Sequence, residues 1–317
     1  MSTAKIPNTE ARHVRTAERV TKAIPPALDR LQSRLLVCVA VPALCWIAWD
    51  AVRYALVDGG SGKEYLSIAA SISVLFGLLA WRLRAATPGA AVTGCLICFD
   101  LTVMSGMPSA DSIIHSGLPS VVLLFVLTHL ATHYGRKQKL QIADTVEKNG
   151  RNAAQVVANL GIAALSASVP FWIFRAGPGP QTTRAFFELE VPMLAALAEA
   201  TADTVSSEIG QALGGRPFLI PSFKRVPPGT DGAISTVGTL AGLASAAAIA
   251  GTGSATLELS GRAALVVWIS GTAGLFFDSV LGATAERRGW IGNDVVNFAS
   301  TAFAAALAWS LLPGVAG

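Results

Sequence analysis

Apolar residues along this chain arrive in unbroken blocks, not in the i, i+3, i+4 stripes of a soluble helix. Blocks lie near 34–57, 65–81, 89–107, 118–134, 153–174, 187–205, 233–252, 263–284 and 294–312. Each approaches the ~20 residues that carry a helix across a hydrocarbon core. Two are interrupted, the first by Asp50 and Arg53, the sixth by Glu188, Glu190, Glu199 and Asp203. Backbone amides in lipid have no water to pair with, so the blocks must close their hydrogen bonds internally, as helices. No alternating strand pattern competes. The expectation is an all-α polytopic integral membrane protein of about nine transmembrane helices.

Composition excludes an aqueous exterior. Only 14% of the 317 residues are charged and mean hydropathy is +0.53, against about 25% charged residues in a soluble domain. The basic residues orient the chain, because cytoplasmic loops collect Lys and Arg. With the N-terminus cytoplasmic, 19 of the 24 Lys and Arg fall inside. They lie before residue 35 and in the loops near 82–88, 135–152, 206–232 and 285–293. Only Lys63, Arg175, Arg184 and Arg262 fall outside, and Arg53 lies within a span. The net charge of +4 is therefore a topology signal; no basic patch interleaved with aromatics suggests nucleic acid. The expected location is a multi-pass position in a bacterial inner membrane, with membrane lipids as neighbours. Residues 1–33 form a basic cytoplasmic segment, roughly amphipathic as far as Pro25-Pro26, and are expected to lie on the membrane surface. They lack the apolar core and small-residue cleavage site of a secretory signal.

The spans at 34–134 are chemically quiet. Cys38, Cys45, Cys95 and Cys98 all fall inside spans and are expected to pack as small apolar residues. His129 and His133, at i, i+4, have no carboxylate nearby in sequence and are expected to be interfacial. Asp50 and Arg53 are expected to neutralise each other. Gly59-Gly60-Ser61-Gly62-Lys63 looks like the tail of a phosphate-binding loop, but Glu64 follows where Ser or Thr is needed. It is expected to be a turn.

The clustered polar residues lie in 135–317. Asn152, Gln155 and Asn159 share a helix face. Glu199, Asp203 and Ser206/Ser207 share another, with Glu208 just beyond. Lys224-Arg225-Val226-Pro227-Pro228-Gly229-Thr230-Asp231-Gly232 forms the following loop. Asp278, Gly282 and Glu286 make a third stripe, and Asn293, Asn297 and Ser300 a fourth, beside Asp294 and Thr301. Every cluster falls at the expected cytoplasmic end of its helix. Charges in a membrane are expensive, and their convergence marks a functional site.

Facing carboxylates repel unless a cation joins them. Magnesium takes oxygen ligands and is commonly held by one or two carboxylates plus substrate phosphates. Asp203, Glu208, Asp278 and Asp294 are the candidate metal ligands. Lys224 and Arg225 supply charge for phosphate oxygens, Arg with a fork geometry. Gly229 and Gly232 let backbone approach a ligand closely. Asn152, Ser207, Thr230, Asn293 and Asn297 complete the candidate nucleotide- and phosphate-binding set. Asp203, Lys224, Arg225, Asp278 and Asp294 are the candidate catalytic residues. Metal, cation clamp and flexible backbone are the parts of phosphoryl or nucleotidyl transfer.

At these residues the chain resembles a known membrane protein family, the one that includes plant and cyanobacterial phytyl-phosphate kinase. The likeness rests on Gly150-Arg151-Asn152-Ala153-Ala154-Gln155-Val156 and Ala200-Thr201-Ala202-Asp203-Thr204 with Ser207-Glu208-Ile209-Gly210. It continues through Val226-Pro227-Pro228-Gly229-Thr230-Asp231-Gly232 and Asp278-Ser279 to Asn293-Asp294-Val295-Val296-Asn297-Phe298. It covers roughly 135–312; the N-terminal segment and first span look particular to this chain. The resemblance implies transfer of phosphate from CTP to an isoprenyl monophosphate, giving the diphosphate. A nucleotidyltransferase that makes a CDP-lipid shares the same parts. A secondary transporter would use the carboxylates as ion sites, although neither repeated halves nor midplane clustering is evident. A lipid-binding protein without turnover is a further alternative.

Overall fold

A computed structural model describes residues 24–57, 62–105, 113–139, 150–176 and 183–312. The chain forms α1 (Pro26–Val57), α2 (Gly62–Arg82), α3 (Pro88–Ser105), α4 (Leu118–His133), the short α5 (Arg136–Lys139), α6 (Ala153–Ala176) and the short α7 (Thr183–Glu188). It continues as α8 (Val191–Leu213), α9 (Thr236–Thr256), α10 (Gly261–Leu281), a π-helical turn (Gly282–Glu286) and α11 (Asn293–Leu311). The protein is thus an all-α polytopic membrane protein, with a helix in each of the nine apolar blocks. Seven of these helices are long and apolar enough to cross a membrane. The α4 helix is apolar but has 16 residues, and α8 carries the acidic residues.

Most boundaries follow capping chemistry. Proline stands at the first helical positions of α1 and α3 (Pro26, Pro88) and near the start of α4 and α8 (Pro119, Pro192), where a missing N–H is harmless. Ser235 Oγ accepts from the Gly238 N–H, and Ser260 Oγ from that of Ala263. Asn152 and Gln155 cap α6 reciprocally: the Asn152 N–H donates to Gln155 Oε1 (2.8 Å) and the Gln155 N–H to Asn152 Oδ1 (3.1 Å), a capping box.

The bundle is organised around α8, which packs against α4, α6, α9, α10 and α11. Residues 191–202 are buried without a break. A helix sheathed by other helices meets little lipid, so its Glu199 and Asp203 need not satisfy the hydropathy of a lipid-facing span. Small residues permit the sheath to close. A Cβ on Gly271 would sit 2.7 Å from Ala198 Cβ, one on Gly274 2.5 Å from Glu199 Cγ, and one on Gly253 2.4 Å from Leu194 Cδ1. These are the close helix contacts that small residues support in membranes. Large apolar side chains such as Trp46, Trp49, Leu75 and Val92 cover the exterior.

Several expectations change. The first helix begins at Pro26 instead of residue 34, so 26–33 extends a span; residues 1–23 of the expected surface segment lie outside the described residues. The Gly59–Lys63 motif also falls largely outside them. A two-stranded antiparallel ribbon, β1 (Phe218–Leu219) with β2 (Ala233–Ile234), sits in the loop after α8. Its Phe218 and Ile234 pairing fixes the loop between them. Asp50 pairs with Arg53 at 2.9 Å as expected, and Arg175 adds a longer contact at 3.9 Å. All four cysteines are free; Cys98 is buried, but Cys38 and Cys45 lie on the exterior.

Candidate functional site

One end of the bundle collects the loops that the alternation of spans predicts should share a face. Ala86 and Arg151 form a parallel bridge that ties the α2–α3 turn to the start of α6. Arg151 Nη2 donates to Thr204 Oγ1 on α8 at 3.1 Å. The Lys139 Nζ atom donates to Glu208 Oε2 at 2.5 Å and to the carbonyls of Ala131 and Thr132 at the end of α4. Gln32 on α1 reaches the turn before α11.

Within this end, α8, α10 and α11 bring a set of acids together. Glu199 is buried, and its Oε1 has no hydrogen-bond partner among the described residues. Asp203, one turn along α8, and Asp278 on α10 are half-buried. These three carboxylates are mutual electrostatic neighbours. Glu286, in the π-helical turn, lies within reach of Asp203, Asp278, Asp231 and Asp29. A π-turn adds a residue to the helical register and recurs at functional sites; here it carries Glu286 toward the loop. Ser300 on α11 donates to Asp278 Oδ2 at 3.3 Å.

Positive charge is scarcer. Arg151 lies beside Asp203, and Arg287 beside Asp231. Partial burial pushes the Asp231 carboxyl above the ordinary carboxylate range, and the Arg287 guanidinium draws it back. Among the described residues, these six carboxylates against two guanidiniums leave the acidic junction short of cation.

The loop over the site is held by backbone approach. Gly232 has φ +68°, and a Cβ there would stand 2.1 Å from Ala283 N and 2.4 Å from Ser279 O. Gly229 (φ +82°) allows the preceding turn, which Thr230 closes by donating to the Pro227 carbonyl at 2.7 Å. The same segment leads to the Ser235 cap of α9. Beside it, a groove of about 500 Å³ is lined by Gly214, Arg216, Phe218, Phe223, Arg225, Ser235, Thr236 and Val237.

The sequence-predicted residues therefore divide. Asp203 and Asp278 are electrostatic neighbours, and Ser300 on α11 reaches Asp278, with Asn297 one turn before it on the same helix. Glu208 is turned to Lys139 and accepts from Thr132 at 3.0 Å. Asp294 accepts from Ser33 at 2.6 Å. Asn152 is occupied as a helix cap, Ser207 donates to the Thr204 carbonyl at 3.1 Å, and Asn293 is the exposed first residue of α11. Lys224 and Arg225 are exposed on the loop, Arg225 facing the groove, while Arg151 takes the place beside Asp203. The space beside Gly242, Gly253, Gly271 and Gly274, on the helices around α8, is filled by contacts with it.

No three His, Cys, Asp or Glu among the described residues form a ready-made metal cage. The neighbouring carboxyls of Asp203 and Asp278, with an unpartnered Glu199 oxygen on the same helix as Asp203, suit a cation held by one or two carboxylates and completed by substrate phosphate. They do not fit a dedicated all-protein site.

Comparison with known proteins bears on the same segment. A family model described as integral membrane protein DUF92 matches residues 71–305. An uncharacterized membrane protein of Synechocystis sp. is 30% identical over 189 residues, 59% of this chain and 70% of its own length. A second, from Methanocaldococcus jannaschii, is 33% identical over 190 residues, 58% of this chain and 73% of its own. The Arabidopsis thaliana protein named "Protein VTE6, chloroplastic" is 32% identical over 187 residues, 57% of this chain and 54% of its own length, so the match spans about half of the plant protein. No solved structure matches.

Proposed function

Because this chain belongs to the DUF92 family of integral membrane proteins, we propose that it is a lipid phosphate kinase acting on an isoprenyl, phytyl-like monophosphate. The donor is CTP with magnesium, and the reaction takes place at the cytoplasmic face of a bacterial inner membrane. The observation that carries this reading is the surplus of carboxylates around the neighbouring Asp203 of α8 and Asp278 of α10. Such a surplus calls for a cation and, with it, a polyanionic substrate. Family resemblance to phytyl-phosphate kinase supplies the substrate class, and the basic loops gathered at this end support its cytoplasmic assignment.

In this mechanism an oxygen of the lipid monophosphate attacks the γ-phosphorus of CTP. The bond from that phosphorus to the β,γ-bridging oxygen breaks, CDP leaves, and the lipid carries away a diphosphate. A phosphate monoester has its second pKa near ~6, so the nucleophile is largely ionised at neutral pH and needs no strong general base. Bound magnesium would supply charge neutralisation of the phosphates. Asp203 and Asp278 would hold it, with Glu199 beneath. Arg151 lies close enough to Asp203 to stabilise charge on a transferring phosphoryl group. Arg225 and Arg216 line the groove where the nucleotide's remaining phosphates would lie, and Asn293 and Asn297 on α11 would position the nucleotide. The isoprenoid tail would lie against an apolar face of the bundle. An apolar groove of about 370 Å³ runs between α2 and α4, lined by Leu75, Phe76, Leu79, Leu83, Phe125 and Val126.

The released products separate this reading from its rivals. Purified protein given CTP, magnesium and an isoprenyl monophosphate should release CDP in step with lipid diphosphate. Pyrophosphate and a CDP-lipid would instead make it a nucleotidyltransferase. Nucleotide-independent flux of a phosphorylated solute across vesicles would make it a transporter.

A further inference from the structure

Helix α1 lies outside the family segment 71–305, yet its first turns reach the acidic end of the bundle. Gln32 grips the turn before α11 at two points: Nε2 donates to the Trp290 carbonyl at 3.0 Å, and Oε1 accepts from the Gly292 N–H at 2.8 Å. One residue on, Ser33 Oγ donates to Asp294 Oδ2 at 2.6 Å. Asp29, one helical turn earlier, lies so close to Gly292 that a Cβ there would overlap its carboxylate, and it is an electrostatic neighbour of Glu286. Asp29, Gln32 and Ser33 are half-buried, while Arg30, Leu31 and Arg34 are exposed. The helix thus presents one face to this turn.

We propose that the N-terminal end of α1 is a positioning element of the site, with Gln32 and Ser33 fixing the 290–294 turn. A primary amide that both donates to and accepts from one stretch of backbone sets its position and its orientation together. The turn it grips joins Glu286 in the π-turn to Asn293, Asp294 and Asn297 on α11. Holding it therefore sets the spacing between Glu286 and the α11 amides. Gly289, with φ +70°, shows that the chain reverses sharply here without a regular ladder of its own. Gln32 supplies partners for a carbonyl and an amide that the turn leaves over. Because α1 is not part of the family segment, this chain has recruited a contact from outside the family core.

The kinetic part rests on the kinase reading, so the test has two arms on the full-length protein in lipid nanodiscs. Hydrogen exchange of the 289–294 amides reads the contact directly. In a Gln32→Ala/Ser33→Ala variant it should accelerate by about 10-fold or more, while Leu31→Ala on the exposed face leaves it unchanged. Turnover of CTP and isoprenyl monophosphate should fall by about 10-fold in kcat with the lipid KM held, and Ser33→Thr, which keeps the hydroxyl, should restore wild-type kcat in the single-site comparison. Unchanged exchange overturns the inference whatever the turnover. Faster exchange with unchanged kcat overturns it too, by reducing the contact to a structural one. Absence of turnover in the wild type counts against the kinase reading alone, and the exchange arm still decides whether α1 holds the turn.

Discussion

Asp278→Asn, and separately Asp203→Asn, should lower lipid phosphate phosphorylation by at least about 100-fold, the scale seen when one preorganised charge-stabilising group is removed from an active site. The substitution changes charge but scarcely changes shape, and the amide oxygen introduced by Asp278→Asn could still accept from Ser300. Stability should move the other way. Asp278 is an electrostatic neighbour of Glu199, Asp203 and Glu286, so removing its charge relieves repulsion inside a sheathed helix bundle. Thermal unfolding of the ligand-free Asp278→Asn protein should therefore occur at the wild-type temperature or above it. Loss of turnover together with undiminished stability marks a site that holds like charges together for function. Loss of both would make Asp278 a structural residue, and full turnover would remove it from the site.

Gly232→Ala should be severely destabilising, whereas Gly215→Ala should be mild. Both glycines have positive φ, +68° and +62°, so both substitutions bear the left-handed backbone penalty of about 1 kcal/mol. They differ in what a methyl group meets. At Gly215 nothing lies within 4 Å; at Gly232 the new Cβ would stand 2.1 Å from Ala283 N and 2.4 Å from Ser279 O. Those are backbone atoms of α10 and the π-turn and cannot rotate aside. The 229–234 loop must lift from the helix, and the π-turn bearing Glu286 loses its cover. A drop of several degrees in unfolding temperature, or failure to accumulate in the membrane, is expected for Gly232→Ala. Behaviour equal to that of Gly215→Ala would show that the loop does not dock in this way.

The nine helical blocks were legible because lipid imposes a length and an apolar composition that a single sequence displays. The first and sixth looked weakest, and for the sixth the reason is physical. Hydropathy registers contact with lipid, and α8 has almost none; its acids are covered by neighbouring helices. The same property made Asp203 and Asp278 recognisable, since charges within helices of a membrane protein require an explanation. Their cation partner was harder to find. Lys224 and Arg225 stand out in sequence as a charged pair between spans, but Arg151 reaches Asp203 through the Ala86–Arg151 bridge, a contact between distant segments. Asn152 is a different case: a polar residue in a motif also caps its helix through Gln155, a contact that its position in the sequence does not separate from ligand binding. Gln32 and Ser33 carried no local signal at all, because their partners lie about 260 positions away. Glycine was ambiguous for another reason: sequence shows where a side chain is missing but not whether a groove or a neighbouring helix uses the space.

Following the γ-phosphorus of CTP tests the proposed chemistry most directly. Protein purified in lipid should move a radiolabel from that position onto an isoprenyl monophosphate, in the presence of magnesium, with Asp203→Asn protein of verified fold transferring almost none. A labelled lipid diphosphate formed by the wild type and not by the variant is the expected result. Label that remains in CTP or emerges as pyrophosphate, or equal transfer by Asp203→Asn, would contradict it.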